Sequence, residues 1–494
     1  MKGDISFSGI RQETRKLNTV ILFFIFGVTS LGLYARTCLK PVELAGKVLC
    51  EGNAVKNVVV TDGYTCVRTT ADGSYCILKN PEARFVYISV PAGYVVDAEY
   101  TIPDFYKSIE EGVTRYDFIM NKNPKDDNKH VVFVQSDVQV TSEDELCQYD
   151  AVVKDMNEHS SLYPEFDFFG IDCGDIVGDA PRLFPSYVNH VSALQFPVYR
   201  TVGNHDMHYS GRTHETSAVT FEKYFGPSYY SFNKGKAHYI VIDNNFYIGR
   251  EYFYMGYVDE NTFHWMEQDL AGVPEGSPVF IVTHIPTRLS AVKKPFKYDY
   301  SSLVEQTTNA ESLYNILKPY NVHILSGHMH SNLNIEFNDR LFEHNTAAVC
   351  GTWWQLDVCR DGAPRGYGVY EVDGCNVKWY YKGAGYDKSY QFKAYPVSSS
   401  TEYPDDIIAN VWNYDPMWKV EWFENGTNMG EMTRFTGYDP YASALCADKS
   451  KVKYSWIEPV TTEHMFRATP ENPKAKIEIL VTDRFGNKYS KTVQ

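Results

Sequence analysis

The chain has no C-x-x-C pair, although it holds ten cysteines. That spacing excludes a zinc ribbon and a thioredoxin-like redox motif. Positive charge is in deficit: 47 lysines and arginines stand against 62 aspartates and glutamates, giving a net charge of −15. Such a balance argues against a general nucleic-acid or anionic-membrane binder. No internal repeat and no low-complexity tract occurs, which removes repeat architectures. Beyond residue 35 no apolar run is long enough to cross a bilayer. What is abundant is aromatic: 15% of the chain, with 38 tyrosines, in a hydrophobic total of 44% that suits ordinary globular cores. A length of 494 residues predicts two to four domains.

The first 35 residues read as a targeting segment. Lys2, Arg11, Arg15 and Lys16 precede an apolar run from Val20 to Ala35, shorter than the ~20 residues of a spanning helix. This fits a secretory signal peptide over 1–35, cut after Ala35, and places the protein in a secreted, periplasmic or cell-surface location. An uncleaved anchor is the alternative. Membrane contact is expected only through this segment. Export permits disulfides, and Cys50, Cys66 and Cys76 stand near enough in sequence to pair.

Residues 36–125 read as all-β. Val42 to Leu49 alternates, Val58-Val59-Val60-Thr61 runs into Asp62-Gly63, Thr69-Thr70-Ala71-Asp72-Gly73 repeats that turn, and Phe85 to Val90 stops at Pro91. The pattern of variable strand, Asp-Gly turn and tyrosine resembles a transthyretin-like or carboxypeptidase-regulatory-like sandwich, with no catalytic constellation. A polar linker, Asn121 to Lys129, leads into a unit over 129–385 in which strands alternate with helices predicted in 142–160 and 256–270. Ala347-Ala348-Val349-Cys350-Gly351 and the runs at 367–372 and 377–381 are expected as strands closing that unit. Residues 386–404 read as loop, and 400–494 as a second β-rich domain, of fibronectin- or immunoglobulin-like type. The fold class expected is therefore α/β (α+β) at the centre, flanked by two all-β domains.

Within the central unit six apolar runs end in polar residues. They exit at Asp137-Val138-Gln139, at Gly174-Asp175, at Gly203-Asn204-His205-Asp206, at Asp243-Asn244, at His284, and at Gly327-His328-Met329-His330. Short buried strands with chemistry at their carboxyl ends are the layout of an α/β active site. Burying such polar groups costs roughly 2–7 kcal/mol for each one left unpaired. Carboxylates, imidazoles and an amide oxygen suit Mn, Fe, Zn or Mg rather than a thiolate metal. Asp137, Gln139, Asp175, Asn204, His205, Asp206, His284, His328 and His330 are too many ligands for one ion, and two ions sharing a carboxylate would use them all.

In order and approximate spacing these blocks resemble the calcineurin-like metallophosphoesterase signature, over about residues 130–335. Trp353-Trp354, the Asp361-to-Tyr367 stretch, Trp422, Met429, Met432 and Asp439-Pro440 look like a secreted subfamily with flanking β domains. The resemblance implies a two-sheet sandwich and a dinuclear centre of two divalent metal ions. In it Asp175 bridges; Asp137, Gln139 and His330 complete one site; Asn204, His284 and His328 complete the other. It implies that His205 acts on the leaving oxygen or the transition state and that Asp206 orients its ring. The family's usual Asp-x-His is here Asp137-Val138-Gln139, a weaker donor.

Outside the blocks, Arg212 and His214 follow the tetrad on a loop that reaches toward substrate, with His208 and Tyr209. Trp353 and Trp354 are candidate substrate platforms against a core role. His190, His238, His264 and His323 read as structural, as does Asp243-Asn244, and His344 is open. The function expected is hydrolysis of a phosphate ester (diester, monoester or pyrophosphate), on a phosphorylated small molecule or a cell-surface phosphopolymer and not on nucleic acid. The competing reading is a non-catalytic secreted protein that binds glycan or phosphopolymer through its β domains.

Overall fold

The computed structural model describes residues 41–250, 253–292 and 295–493. The expected signal segment and Cys38 lie outside the described residues. Among those described, no helix is long and apolar enough to cross a membrane.

Two sheets build the centre. The first runs Val198–Arg200, Asp167–Asp172, Lys129–Gln135, Gly366–Asp373, Asn376–Gly383. Its first three strands are parallel, and the last two form a hairpin laid antiparallel against Lys129–Gln135. The second runs Tyr230–Lys234, Ala237–Val241, Pro278–Val282, Asn321–Ser326, Leu341–Asn345, Leu333–Asn338, and its inner four strands are parallel. Each inner strand is covered on both faces, which is why the sequence shows continuous apolar runs. Val132, Val134, Phe169 and Ile171 share one buried cluster with Tyr239 and Phe280 of the second sheet. Val131 and Phe133 point the other way and pack the helices Glu143–Ser160 and Phe184–Val191. Across the second sheet, register neighbours Phe232, Tyr239, Phe280, His323 and Phe342 stack ring on ring at 4.6–5.5 Å. Parallel strands in each sheet all deliver their carboxyl ends to one edge, and that edge carries the ligand candidates.

The N-terminal region is a sandwich of one sheet built on Glu43–Cys50 and Phe118–Lys122 and another built on Phe85–Ser89 and Val59–Thr61. It docks on the second central sheet: Asn233 N–H donates to Val90 O at 2.8 Å and Ser231 Oγ to Ser89 Oγ at 2.8 Å. The C-terminal region holds two four-stranded sheets around Trp418, Trp422, Ile479 and Val481. Arg484 ties it to the centre by bridging Asp415 (2.8 Å) and Glu336 (2.6 Å). Asp361, fully buried, accepts from Asn332 N–H at 2.9 Å and lies 3.2 Å from His464 Nε2.

Three expectations need correction. Ala347-Ala348-Val349-Cys350-Gly351 is a buried turn, not a strand, because its N–H groups serve the ligand loop: Val349 N donates to Ser136 O and Cys350 N to Asp137 O. Lys393–Tyr395, inside the stretch read as loop, is an edge strand paired with Ile407–Asn410, so the C-terminal sheet begins before residue 400. All nine described cysteines are free thiols. Cys50 points inward and Cys76 outward from paired strands of one sheet, while Cys66 belongs to the other sheet, so none of the three meets another.

Candidate active site

The strand exits converge through backbone that ordinary residues avoid. Asp137, Gln139, Asp175, His328 and His330 all have positive φ, at 55°, 44°, 54°, 72° and 53°, each costing about 1–3 kcal/mol. Glycines make room for them. A Cβ on Gly203 would stand 2.1 Å from Asp175 N, and one on Gly327 would stand 1.6 Å from Ser136 Oγ and 2.8 Å from Asp137 Oδ2. These two positions explain why the motifs open on glycine.

Around Asp175 the ligand atoms of Asp175, His284 and His328 all lie within 4.8 Å of one another. His284 Nδ1 is 2.8 Å from Cys173 O, so Nδ1 carries a proton and Nε2 is the ring atom turned inward. That Nε2 meets Asn204 Oδ1 at 3.0 Å, His328 Nδ1 at 3.2 Å and Asp175 Oδ2 at 3.3 Å. These four atoms converge on one point, a donor set that a divalent cation would fit. On the other side of Asp175, His330 Nε2 is 3.4 Å from Asp137 Oδ1. Gln139 Nε2 reaches Asp175 Oδ2 at 3.4 Å, and Gln139 Oε1 is buried with no partner. A buried amide oxygen without a donor is what a hard cation would satisfy, so both halves fit divalent metal. His330 has Cys350 Sγ behind it, 3.9 Å from Nδ1. Burial opposes charge on His284, yet Asp175 and Asp137 lift it to about 9. Burial and His284 push His328 down to about 3.

His205 closes the site from the cleft side, its ring one-third exposed (33%). Its N–H donates to Asp175 Oδ1 at 2.8 Å, and its Nδ1 lies 2.8 Å from Asp179 Oδ1. Asp179, at φ 56°, also donates its own N–H to His205 O at 3.2 Å. Burial works against charge on His205, and Asp175 and Asp179 together hold its pKa above the usual imidazole value. Asp206 does not orient this ring, contrary to expectation. Its carboxylate is fully buried and accepts from Gly203 N (2.9 Å), Val177 N (3.0 Å) and Ile176 N (3.2 Å). It is the clamp that folds two ligand loops together, and Asp179 is the residue that sequence reasoning missed.

The other candidates separate. Trp354 is buried in the core, donating Nε1–H to Val138 O at 2.8 Å, so it is no substrate platform. Trp353, half-buried, lies against His330 with ring centroids 4.7 Å apart. His214 stacks on Phe246 at 4.8 Å and pairs with Asp259 at 3.7 Å. It lines a cavity against the N-terminal sandwich with Tyr87 and Glu222, away from the ligand cluster. Arg212 is exposed on its loop. Tyr209 OH anchors Asn204 O at 2.5 Å. Asp243 accepts from Asn245 N, and Asn244 spans Ile285 and Thr307, so both are structural. His238 is fixed by Asp269 (2.9 Å) and Asn233 (2.8 Å), and His190 by Asp150 (2.6 Å). His264 is exposed. His344 is also structural: it joins His323 (3.0 Å) and Asn334 (2.8 Å) at the end of the ring stack.

Comparison with known proteins agrees with this geometry. The family model of the calcineurin-like phosphoesterase matches residues 130–332, the model of its N-terminal region matches 42–123, and the model of its C-terminal region matches 343–489. No protein of curated function matches the chain. Among solved structures, a dimetal phosphatase from Danio rerio is 12% identical, with a TM-score of 0.36, over 52% of this chain and 96% of its own. A purple acid phosphatase from yellow lupin seeds is 12% identical, with a TM-score of 0.39, over 67% of each chain. A 5′-nucleotidase from Candida albicans is 13% identical, with a TM-score of 0.32, over 52% of this chain and 51% of its own. Three matched regions in one order, with the ligand loops falling inside the central one, make this chain a member of the calcineurin-like phosphoesterase family, a metal-dependent hydrolase of phosphoric esters.

Proposed function

We propose that the centre is dinuclear, with Asp175 shared between two divalent ions, Asp137, Gln139 and His330 completing one position, and Asn204, His284 and His328 completing the other. The observation that carries it is the convergence of ligand atoms on Asp175: the His284 Nε2, Asn204 Oδ1 and His328 Nδ1 group at 3.0–3.2 Å, and the partnerless Oε1 of Gln139, whose Nε2 reaches Asp175 Oδ2. A two-ion site of this kind supplies an activated water and charge neutralisation on the phosphoryl oxygens. The protein does the rest. Ser136 Oγ at 2.5 Å and His328 N–H at 2.9 Å hold Asp137 Oδ2, which fixes that carboxylate's orientation. Cys173 O fixes the tautomer of His284. His205, held at Nδ1 by Asp179, presents Nε2 to the cleft as the proton donor for the departing alkoxide.

Gln139 brings a neutral oxygen where an imidazole is usual, which favours harder ions such as Mn or Mg at that position. The substrate is an organic phosphate ester, on a small molecule or a surface phosphopolymer, and the N-terminal 35 residues direct export. The test is hydrolysis of a chromogenic phosphodiester and its matching monoester by protein stripped of metal and reloaded with Mn, Zn, Mg or Fe, with Asp175→Asn as control. Metal-restored turnover that the control abolishes, at two bound ions per chain, is the expected result. Full turnover at one ion per chain would overturn the dinuclear assignment. N-terminal sequencing of the exported protein checks the signal.

A further inference from the structure

Next to His330 the rings of Trp353 and Trp456 form a run of aromatic contacts. Trp353 lies 4.7 Å from the His330 ring, and Trp456 meets Trp353 edge-on at 4.6 Å. Trp456 in turn stacks on Tyr454 at 5.4 Å with planes 12° apart, and 55% of Trp456 is exposed. The segment bearing it is held in place. Leu356, Cys446, Val452 and Ile457 form a small buried cluster under it. Lys453 N–H donates to Gln355 Oε1, Lys449 Nζ closes the segment on Ile457 O at 2.6 Å, and Val460 N–H donates to Arg360 O at 3.1 Å. An indole presented to solvent on a tied-down segment, two ring contacts from a metal ligand, is a preformed platform.

Arg360 completes the surface. Its guanidinium lies over Trp353 at 5.4 Å. Among the described residues it makes no ion pair within 4.0 Å, although the charges of Asp361 and Glu305 act on it, and its Nε is buried without a partner. Burial pulls its pKa below the usual guanidinium value, the opposite of Arg484 with its two carboxylates. An unpaired guanidinium beside a phosphate-processing centre is complementary to an anionic oxygen.

We propose that Trp456, backed by Trp353, and Arg360 form the subsite for the alcohol side of the substrate, and that this alcohol carries a ring, a nucleoside or a pyranose sugar, packed on the exposed Trp456 indole while Arg360 holds an anionic oxygen of the ester. This rests on the phosphoesterase reading, since it takes the phosphorus to sit at the ligand cluster. The ring then extends past His330 and Trp353 onto Trp456. Both sources share one chemistry, a flat or pyranose face next to a phosphate, and aromatic side chains receive either.

The test is equilibrium binding to the metal-loaded full chain of three non-hydrolysable phosphonates, analogues of adenosine monophosphate, glucose 1-phosphate and glycerol phosphate. At least one ring-bearing probe is expected to bind about tenfold tighter than the glycerol probe, the fold-change of one stacked ring. Trp456→Ala removes that preference and Trp456→Phe restores it. Arg360→Gln weakens all three probes. The adenosine and glucose arms tell base from sugar, and a preference for either supports the subsite. Equal affinity for ring-bearing and ring-free probes overturns it, as does a preference that Trp456→Ala leaves intact. Hydrolysis of chromogenic esters without ring preference overturns the subsite alone. Ring preference without hydrolysis of any ester keeps the subsite and overturns the phosphoesterase reading.

Discussion

Asp179 and Asp206 are both acidic, both near His205, and are expected to fail in opposite ways when replaced. Asp179 makes one charge-assisted bond to His205 Nδ1 at 2.8 Å and is itself 36% exposed. Removing a bond to a charged partner costs about 1.5–3 kcal/mol, which at 1.36 kcal/mol per decade is a fall of about 10- to 150-fold in rate. Asp179→Ala should therefore lower kcat by that factor, with little change in thermal stability and none in metal content. Asp206 instead satisfies three buried N–H groups of the two ligand loops. In Asp206→Asn the amide cannot accept from all three, and each orphaned donor costs about 1–3 kcal/mol. That variant should lose several degrees of Tm and some bound metal, while turnover per metal-loaded molecule falls far less than in Asp179→Ala. The assay is kcat on a chromogenic ester at matched metal occupancy, beside calorimetric unfolding and metal analysis. If Asp179→Ala keeps full rate, or Asp206→Asn loses rate with Tm and metal unchanged, the assignment of the two carboxylates is refuted.

Other substitutions probe the frame of the site. Gly327→Ala drives a methyl into Ser136 Oγ and Asp137 Oδ2, so the rise in Tm on adding Mn should shrink or vanish, and an undiminished rise would show that Gly327 is dispensable. Gln139→His replaces the partnerless amide oxygen with an imidazole and should retain Zn against a chelator about tenfold better than wild type, as soft-borderline ions prefer nitrogen to a neutral oxygen; equal retention would mean position 139 makes no metal contact. Glu343, fully buried, is pushed up to about 7 by burial against Thr287 and Ser326 donors. Since its folded pKa lies above the ordinary 4.5, its contribution is full below pH 4.5 and lost as pH rises through 7, a difference of about 3 kcal/mol. Denaturant unfolding at pH 5 and pH 8 should then show a steeper loss in wild type than in Glu343→Gln, and parallel losses would contradict it.

The fold was legible where one physical rule acted alone. Parallel strands covered on both faces must be apolar throughout, so Lys129–Gln135, Asp167–Asp172, Ala237–Val241, Pro278–Val282 and Asn321–Ser326 stood out as runs, and the polar residues after them marked the active edge. Legibility failed where partners are set by tertiary approach. Ala347 to Gly351 has strand composition, yet its backbone is spent on Ser136 and Asp137. Trp353 and Trp354 are adjacent and both at positive φ (47° and 61°), which turns one ring to His330 and the other into the core. Asp179 stands four residues past Asp175 with no apolar run to announce it. Its signal was only the short Gly-Asp-x-x-x-Asp spacing, which a left-handed residue at each aspartate folds back onto His205.

The same left-handed residues bear on what bound metal would add to the centre. Local preference is against Asp137, Gln139, Asp175, His328 and His330 adopting positive φ, so five conflicts between residue and backbone are gathered at one edge. Asp206, Ser136 and the glycine contacts hold them there, and they leave His284 Nε2, Asn204 Oδ1 and His328 Nδ1 turned to one point. A cation bound between those atoms would add coordination that offsets the cost of the strained backbone. Bound metal is therefore expected to stabilise these loops. Removing it should loosen 137–139, 174–179 and 327–330 together, seen as faster amide exchange in those three segments and not in the sandwiches on either side.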